Sequence, residues 1–101
     1  MLFKLTVPGP IEDVDELRVL EWHGEAGHRF DAGALIVELE THKAVVEVRA
    51  AQPGVLRQVL REPGSWSKPG ETLAVLSDAP DEPLPSSPEA LRALAVEFEV
   101  S

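Results

Sequence analysis

Leu35-Ile36-Val37-Glu38-Leu39-Glu40-Thr41-His42-Lys43-Ala44-Val45-Val46-Glu47-Val48-Arg49-Ala50 is the stretch that decides the architecture. Both flanks are apolar, rich in β-branched residues and partly alternating, the pattern of short strands. The step between them, Glu40 to Ala44, is brief, so the two strands form a hairpin with Lys43 at its tip. A lysine there has no packing role, and the rigid strands on either side set where its amine points. Taken alone, a turn lysine is most often a solvated charge.

Working outward, Leu17–Trp22, Val55–Leu60 and Thr72–Leu76 have the same strand character. Turn formers punctuate them closely: Gly24, Gly27, Gly33, Pro53-Gly54, Pro63-Gly64 and Pro69-Gly70. Many short strands with frequent turns and no sustained 3.6-residue pattern imply a sandwich or barrel. A shift of 37 positions superposes Gly27 on Gly64, Gly33 on Gly70, Val19 on Leu56, Ile36 on Leu73 and Leu39 on Leu76. Two such halves are too few for a solenoid, which needs roughly three or more units. They suit two small sheets related by a pseudo-two-fold axis. The counterpart of the Lys43 turn then falls near Pro80, beside the amino-terminal strand, and Lys43 projects from the opposite end, away from anything the termini tether.

The chain has 101 residues, room for one domain and a short appendage. It has no cysteine, so disulfides and thiolate metal sites are excluded. With 18 acidic against 9 basic residues it is a poor partner for nucleic acid, whose affinity comes from clustered cations. No apolar run approaches the ~20 residues that span a membrane, and the start is too quickly polar for a signal peptide. A soluble, cytoplasmic protein is expected. After Asp78, three prolines and two acids in residues 79–87 predict an extended spacer. Ser87-Pro88-Glu89 then reads as a capped helix start, with Leu91, Leu94, Ala95 and Phe98 on one face. The expected division is 1–78 as the folded domain, 79–87 as a linker, and 88–101 as a short helical or partly ordered tail.

Other candidates weigh little. His23 and His28 lack a metal-ligand spacing, and no metal site is expected. No phosphate-binding glycine pattern occurs, and Ser65, Ser86 and Ser87 have no nucleophile context. Trp22 and Phe30 read as core or rim. Glu38, Glu40 and Glu47 flank the turn, either as an acidic docking face or as ordinary solvated charge. Ser67 stands where the repeat expects an apolar residue, and the neighbouring Trp66 is expected to supply the missing packing.

Glu40-Thr41-His42-Lys43-Ala44 resembles the Glu-Thr-Asp-Lys-Ala signature of the lipoyl domain found in the acyltransferase components of 2-oxo acid dehydrogenase complexes. The likeness extends through Leu17–Trp22, Gly27, Gly33, Leu35–Leu39, Val45–Val48, Gly54-Val55, Gly64, Gly70 and Leu73, covering about residues 2–78. It implies an all-β fold, a flattened barrel or sandwich of two small antiparallel sheets. It also implies covalent lipoate on Lys43, with Glu40, Thr41, His42 and Ala44 as the residues that the modifying enzyme recognises. The partners implied are a lipoate ligase or lipoyl/octanoyl transferase, a thiamine-dependent 2-oxo acid decarboxylase, an acyltransferase core and dihydrolipoamide dehydrogenase. The domain itself would be a non-catalytic carrier. His42 departs from the usual aspartate, which predicts slower modification or a different ligase preference. Residues 87–95 are similar to the first helix of the peripheral subunit-binding domain, over too short a span to carry weight. A biotin carrier shares the fold and the turn lysine, but methionines typically flank that lysine and here the only methionine is Met1. An unmodified docking module on the same fold remains an alternative, and a glycine-cleavage H-protein a lesser one.

Overall fold

A computed structural model describes residues 1–9, 14–84, 87–96 and 99–100. Eight strands build the body: β1 (Leu2–Thr6), β2 (Leu17–Trp22), β3 (Arg29–Phe30), β4 (Leu35–Glu40), β5 (Val45–Arg49), β6 (Gly54–Val59), β7 (Trp66–Ser67) and β8 (Thr72–Ser77). The tail adds helix α1 (Pro88–Arg92) and strands β9 (Ala95–Val96) and β10 (Glu99–Val100). One sheet runs β3-β6-β8-β1-β9 and the other β10-β5-β4-β2-β7. All pairings within the body are antiparallel, as expected, and the tail adds one parallel pairing, β1 with β9. The molecule measures 38 × 28 × 20 Å, the flattened shape of two stacked sheets.

Alternation explains which faces are buried. In β2, Leu17 and Val19 are fully buried while Arg18 and Glu21 face solvent. Between Val19 and Glu21 the register with β4 shifts by one residue. The same irregularity recurs 37 positions later, between Leu56 and Gln58 of β6 against β8. Such bulges let a strand turn consecutive residues inward, as with Ile36 and Val37 of β4. Leu5, Leu17, Val19, Ile36, Leu39, Val48, Leu56, Leu73 and Leu76 form one core between the sheets.

The two halves clasp each other reciprocally. Gly27 N–H donates to the Leu56 carbonyl at 2.7 Å, and Gly64 N–H to the Val19 carbonyl at 2.7 Å. Both glycines sit at positive φ, 97° and 93°, where a side chain is strained. Trp22 adds a link between the halves, its Nε1–H donating to the Arg61 carbonyl at 2.9 Å.

The packing around Ser67 corrects the sequence expectation. Ser67 is buried, and its Oγ has no hydrogen-bond partner. Trp66 does not pack beneath it; as the next residue of β7 it points outward and is 57% exposed. The volume comes from across the ladder. Leu17, opposite Ser67, is fully buried, whereas in the other half Phe30 lies opposite Gly54. The large partner has changed strands.

The counterpart of the Lys43 turn does lie beside the first strand: Asp78 N–H donates to the Met1 carbonyl at 3.2 Å. The start of the expected spacer is not extended. Ala79–Glu82 forms a turn held by Ser77 Oγ and by Arg57, whose guanidinium donates to the Glu82 carbonyl at 2.6 Å. Ser87 caps α1, accepting from Ala90 N–H at 3.1 Å. The helix stops at Arg92, so the expected face through Leu94 and Ala95 does not form, and Ala95 begins a strand instead. Phe98 and the linker residues Pro85 and Ser86 lie outside the described residues. The tail also returns to the body, because β10 pairs with β5, the strand that leaves the Lys43 turn. That pairing uses Val48 and Arg49, at the end of β5 away from the Lys43 turn.

Candidate functional site

Glu40 ends β4 and Val45 begins β5, directly opposite each other in the ladder. Thr41 closes the hairpin between them. Its N–H donates to the Ala44 carbonyl at 2.8 Å. Its Oγ1 accepts from the N–H groups of Lys43 and Ala44, each at 3.0 Å, and donates to the Ala44 carbonyl at 3.2 Å. A threonine does this well because its hydroxyl hydrogen-bonds the backbone two residues on, making a side-chain mimic of a turn. Thr41 is buried, while His42, Lys43 and Ala44 are exposed. The turn is thus stiff at its base and open at its apex.

The chain's two other lysines are placed differently. Lys4 lies in β1 and donates from Nζ to the Arg92 carbonyl at 2.9 Å. Lys68 follows β7 in the Ser67–Gly70 connection. Neither has a strand leaving on each side of a two-residue turn.

The three flanking acids do not present bare charge. Arg18 approaches Glu40 at 3.7 Å, Arg49 approaches Glu47 at 3.0 Å, and His23 Nε2 lies 2.6 Å from Glu38. Among the described residues, Asp15 and Glu16 are exposed acids near the apex, and with His42 and Trp66 they line an open groove. Spacing along the chain does not reveal this set, since its members come from the β1–β2 connection, the β4–β5 turn and strand β7. The one available signal is Trp66 itself, on the outward side of a strand.

His28 packs on Phe30, ring centroids 4.6 Å apart, and is accounted for by that contact. His23 belongs to a cross-strand group missed in the sequence: donor atoms of Glu21, His23 and Glu38 lie within 4.8 Å of one another. Glu21 faces Glu38 in the ladder, and His23 Nε2 contacts the Glu38 carboxylate.

Comparison with known proteins agrees with this geometry. Residues 4–76 match the family model described as biotin-requiring enzyme, the biotin/lipoyl type. The chain is 33% identical over 97% of its length to the dihydrolipoyllysine-residue succinyltransferase component of the 2-oxoglutarate dehydrogenase complex of Staphylococcus saprophyticus. It is 32% identical over 78% of its length to the same component of Bacillus subtilis. It spans only 23% and 19% of those relatives. The solution structure of the lipoyl domain of the 2-oxoglutarate dehydrogenase complex from Azotobacter vinelandii superposes with a TM-score of 0.61 and 31% identity. That match covers 72% of this chain and 95% of the other. With two sheets, a mutual clasp of glycine turns and a lysine at the hairpin apex, the chain belongs to the biotin/lipoyl-attachment family, as a lipoyl domain.

Proposed function

We propose that Lys43 is the site of covalent lipoylation and that the domain serves as a swinging-arm carrier in a 2-oxo acid dehydrogenase complex. One observation carries this: Lys43 occupies the apex of a hairpin whose backbone is tied down by Thr41 on the strand side. A modifying enzyme must acylate one amine and ignore others, and a stiff two-residue turn offers that amine in one orientation. When attached, lipoate supplies redox-active sulfur chemistry for acyl and electron transfer, and the protein supplies placement. Thr41 holds the turn, Glu40 and Ala44 set its edges, and His42 stands where modifying enzymes of this family usually meet an aspartate.

On this reading the carrier unit is residues 1–78, with 79–87 as its linker and 88–101 as a short tail. Tethering raises the effective concentration of the arm at successive active sites, provided the connection can span them. Those sites belong to a thiamine-dependent decarboxylase, an acyltransferase core and dihydrolipoamide dehydrogenase. A lipoate ligase or lipoyl/octanoyl transferase loads the lysine. The domain catalyses none of these steps.

The test is intact-mass spectrometry and peptide mapping after exposure to an active ligase. A lipoyl increment confined to Lys43, and lost in Lys43→Arg, is expected. A biotinyl increment, or an unmodified Lys43 beside an active ligase, overturns the proposal.

A further inference from the structure

Among the described large apolar side chains, Trp66 is the most exposed, at 57%. Its indole has no role in the core, because its neighbour Ser67 takes the inward position of β7 and Leu17 fills the space opposite. Nor is Trp66 loosely placed, since it sits in register with Arg18 of β2. It forms one wall of a groove of about 500 Å³, shared with His42, Asp15 and Glu16, within the size range of small-ligand pockets. His42 is the residue before Lys43, so their Cα atoms are about 3.8 Å apart. A lysine extended by an acyl chain reaches this groove easily.

We propose that the groove beside Trp66 is a resting site for the dithiolane end of the group carried on Lys43, with the ring against the indole face. The inference rests on the carrier reading above and adds a place where the arm lies between transfers. Three features fit this occupant. The ligand is a hydrocarbon chain ending in a neutral disulfide, so it gains apolar contact without opposing Asp15 or Glu16. Divalent sulfur is polarisable and packs favourably at aromatic rings. The tether keeps the ligand beside the groove, so a contact too weak to hold a free molecule is populated. The competing occupant is a basic side chain of a partner enzyme, attracted by the two acids and the indole. Such a side chain fills the groove only while a partner is bound, whereas the tethered dithiolane is beside it throughout.

Trp22 supplies an internal control, because its indole N–H is held by the Arg61 carbonyl. Lipoylated protein, with the modification on Lys43 verified by mass, is compared with unmodified protein in proton–nitrogen correlation spectra. Trp66→Phe assigns the two indole signals. The Trp66 signal is expected to shift and to show through-space contacts to the ring protons of the dithiolane, while that of Trp22 stays in place. In lipoylated Trp66→Ala, the ring resonances are expected to narrow as the arm is released. A Trp66 signal unmoved in verified lipoyl protein overturns the inference and leaves the carrier reading intact. So does a shift that appears only when the decarboxylase is added. Failure of Lys43 to take lipoate overturns the carrier reading and this inference together.

Discussion

Replacing Thr41 by valine removes one oxygen and keeps the β-branched shape, so it isolates the hydroxyl that ties the Lys43 turn. That oxygen accepts two backbone N–H bonds at 3.0 Å and donates one at 3.2 Å. The Ala44 carbonyl keeps its bond from Thr41 N–H, so it is not orphaned. The amides of Lys43 and Ala44 are, although both residues are exposed and water reaches them. At about 1 kcal/mol net for each of the two amides that lose their acceptor, the cost is about 2 kcal/mol. For a domain of this size that lowers the unfolding midpoint by on the order of 10 °C. Calorimetry on wild type, Thr41→Val and Thr41→Ser measures it, and the serine variant, which retains the hydroxyl, is expected to recover most of the loss. Initial rates of lipoylation below the transition are expected to fall for Thr41→Val, because the amine is no longer held in one orientation. A valine variant that melts within about 2 °C of wild type, less than half a kcal/mol would produce, and is modified equally fast would refute the role given to Thr41.

Four further outcomes are expected. His42→Asp restores the carboxylate usual in the family beside Lys43 and is expected to accelerate modification by a lipoate ligase; equal initial rates would show that position 42 is not read. Gly54→Ala places a Cβ 2.8 Å from Phe3 Cζ in a packed core, and denaturant unfolding is expected to register a loss of about 1–3 kcal/mol from overpacking. Ser67→Ala removes a buried hydroxyl without a partner, so the same assay is expected to show a gain of about 1 kcal/mol, and a loss would mean the oxygen is satisfied after all. The Met1 ammonium is held above its ordinary value of 8.0 by hydrogen bonds to Asp78 and Glu82, and Glu82 below its ordinary 4.5 by that ammonium and Ser77. The raised amine contributes fully below pH 8.0 and loses its contribution as pH rises through its folded value. The lowered carboxyl contributes fully above 4.5 and loses its contribution as pH falls. Amino-terminal acetylation should therefore lower the melting midpoint most between these limits, and a difference constant from acid to alkaline pH would dismiss the contact.

Much of the fold and of the Lys43 turn was legible along the chain because both are local. Strand alternation has a period of two, a two-residue turn needs only its immediate neighbours, and the 37-residue repeat leaves its mark in glycines that must sit at positive φ. Lys43 between two apolar strands could be read directly on those grounds. Position 67 could not. Whether a buried serine leaves a gap depends on what faces it, and Leu17 comes from fifty residues away in the chain. The same holds for the linker: its proline content says extended, but Arg57, Ser77 and the Met1 ammonium fold Ala79–Glu82 against the body. The groove beside Lys43 likewise draws Asp15 and His42 from separate connections and Trp66 from strand β7. Periodicity and turn chemistry act between neighbours in sequence, so they can be read there. Partners across a sheet are chosen by register and packing, and those exist only once the chain has closed on itself.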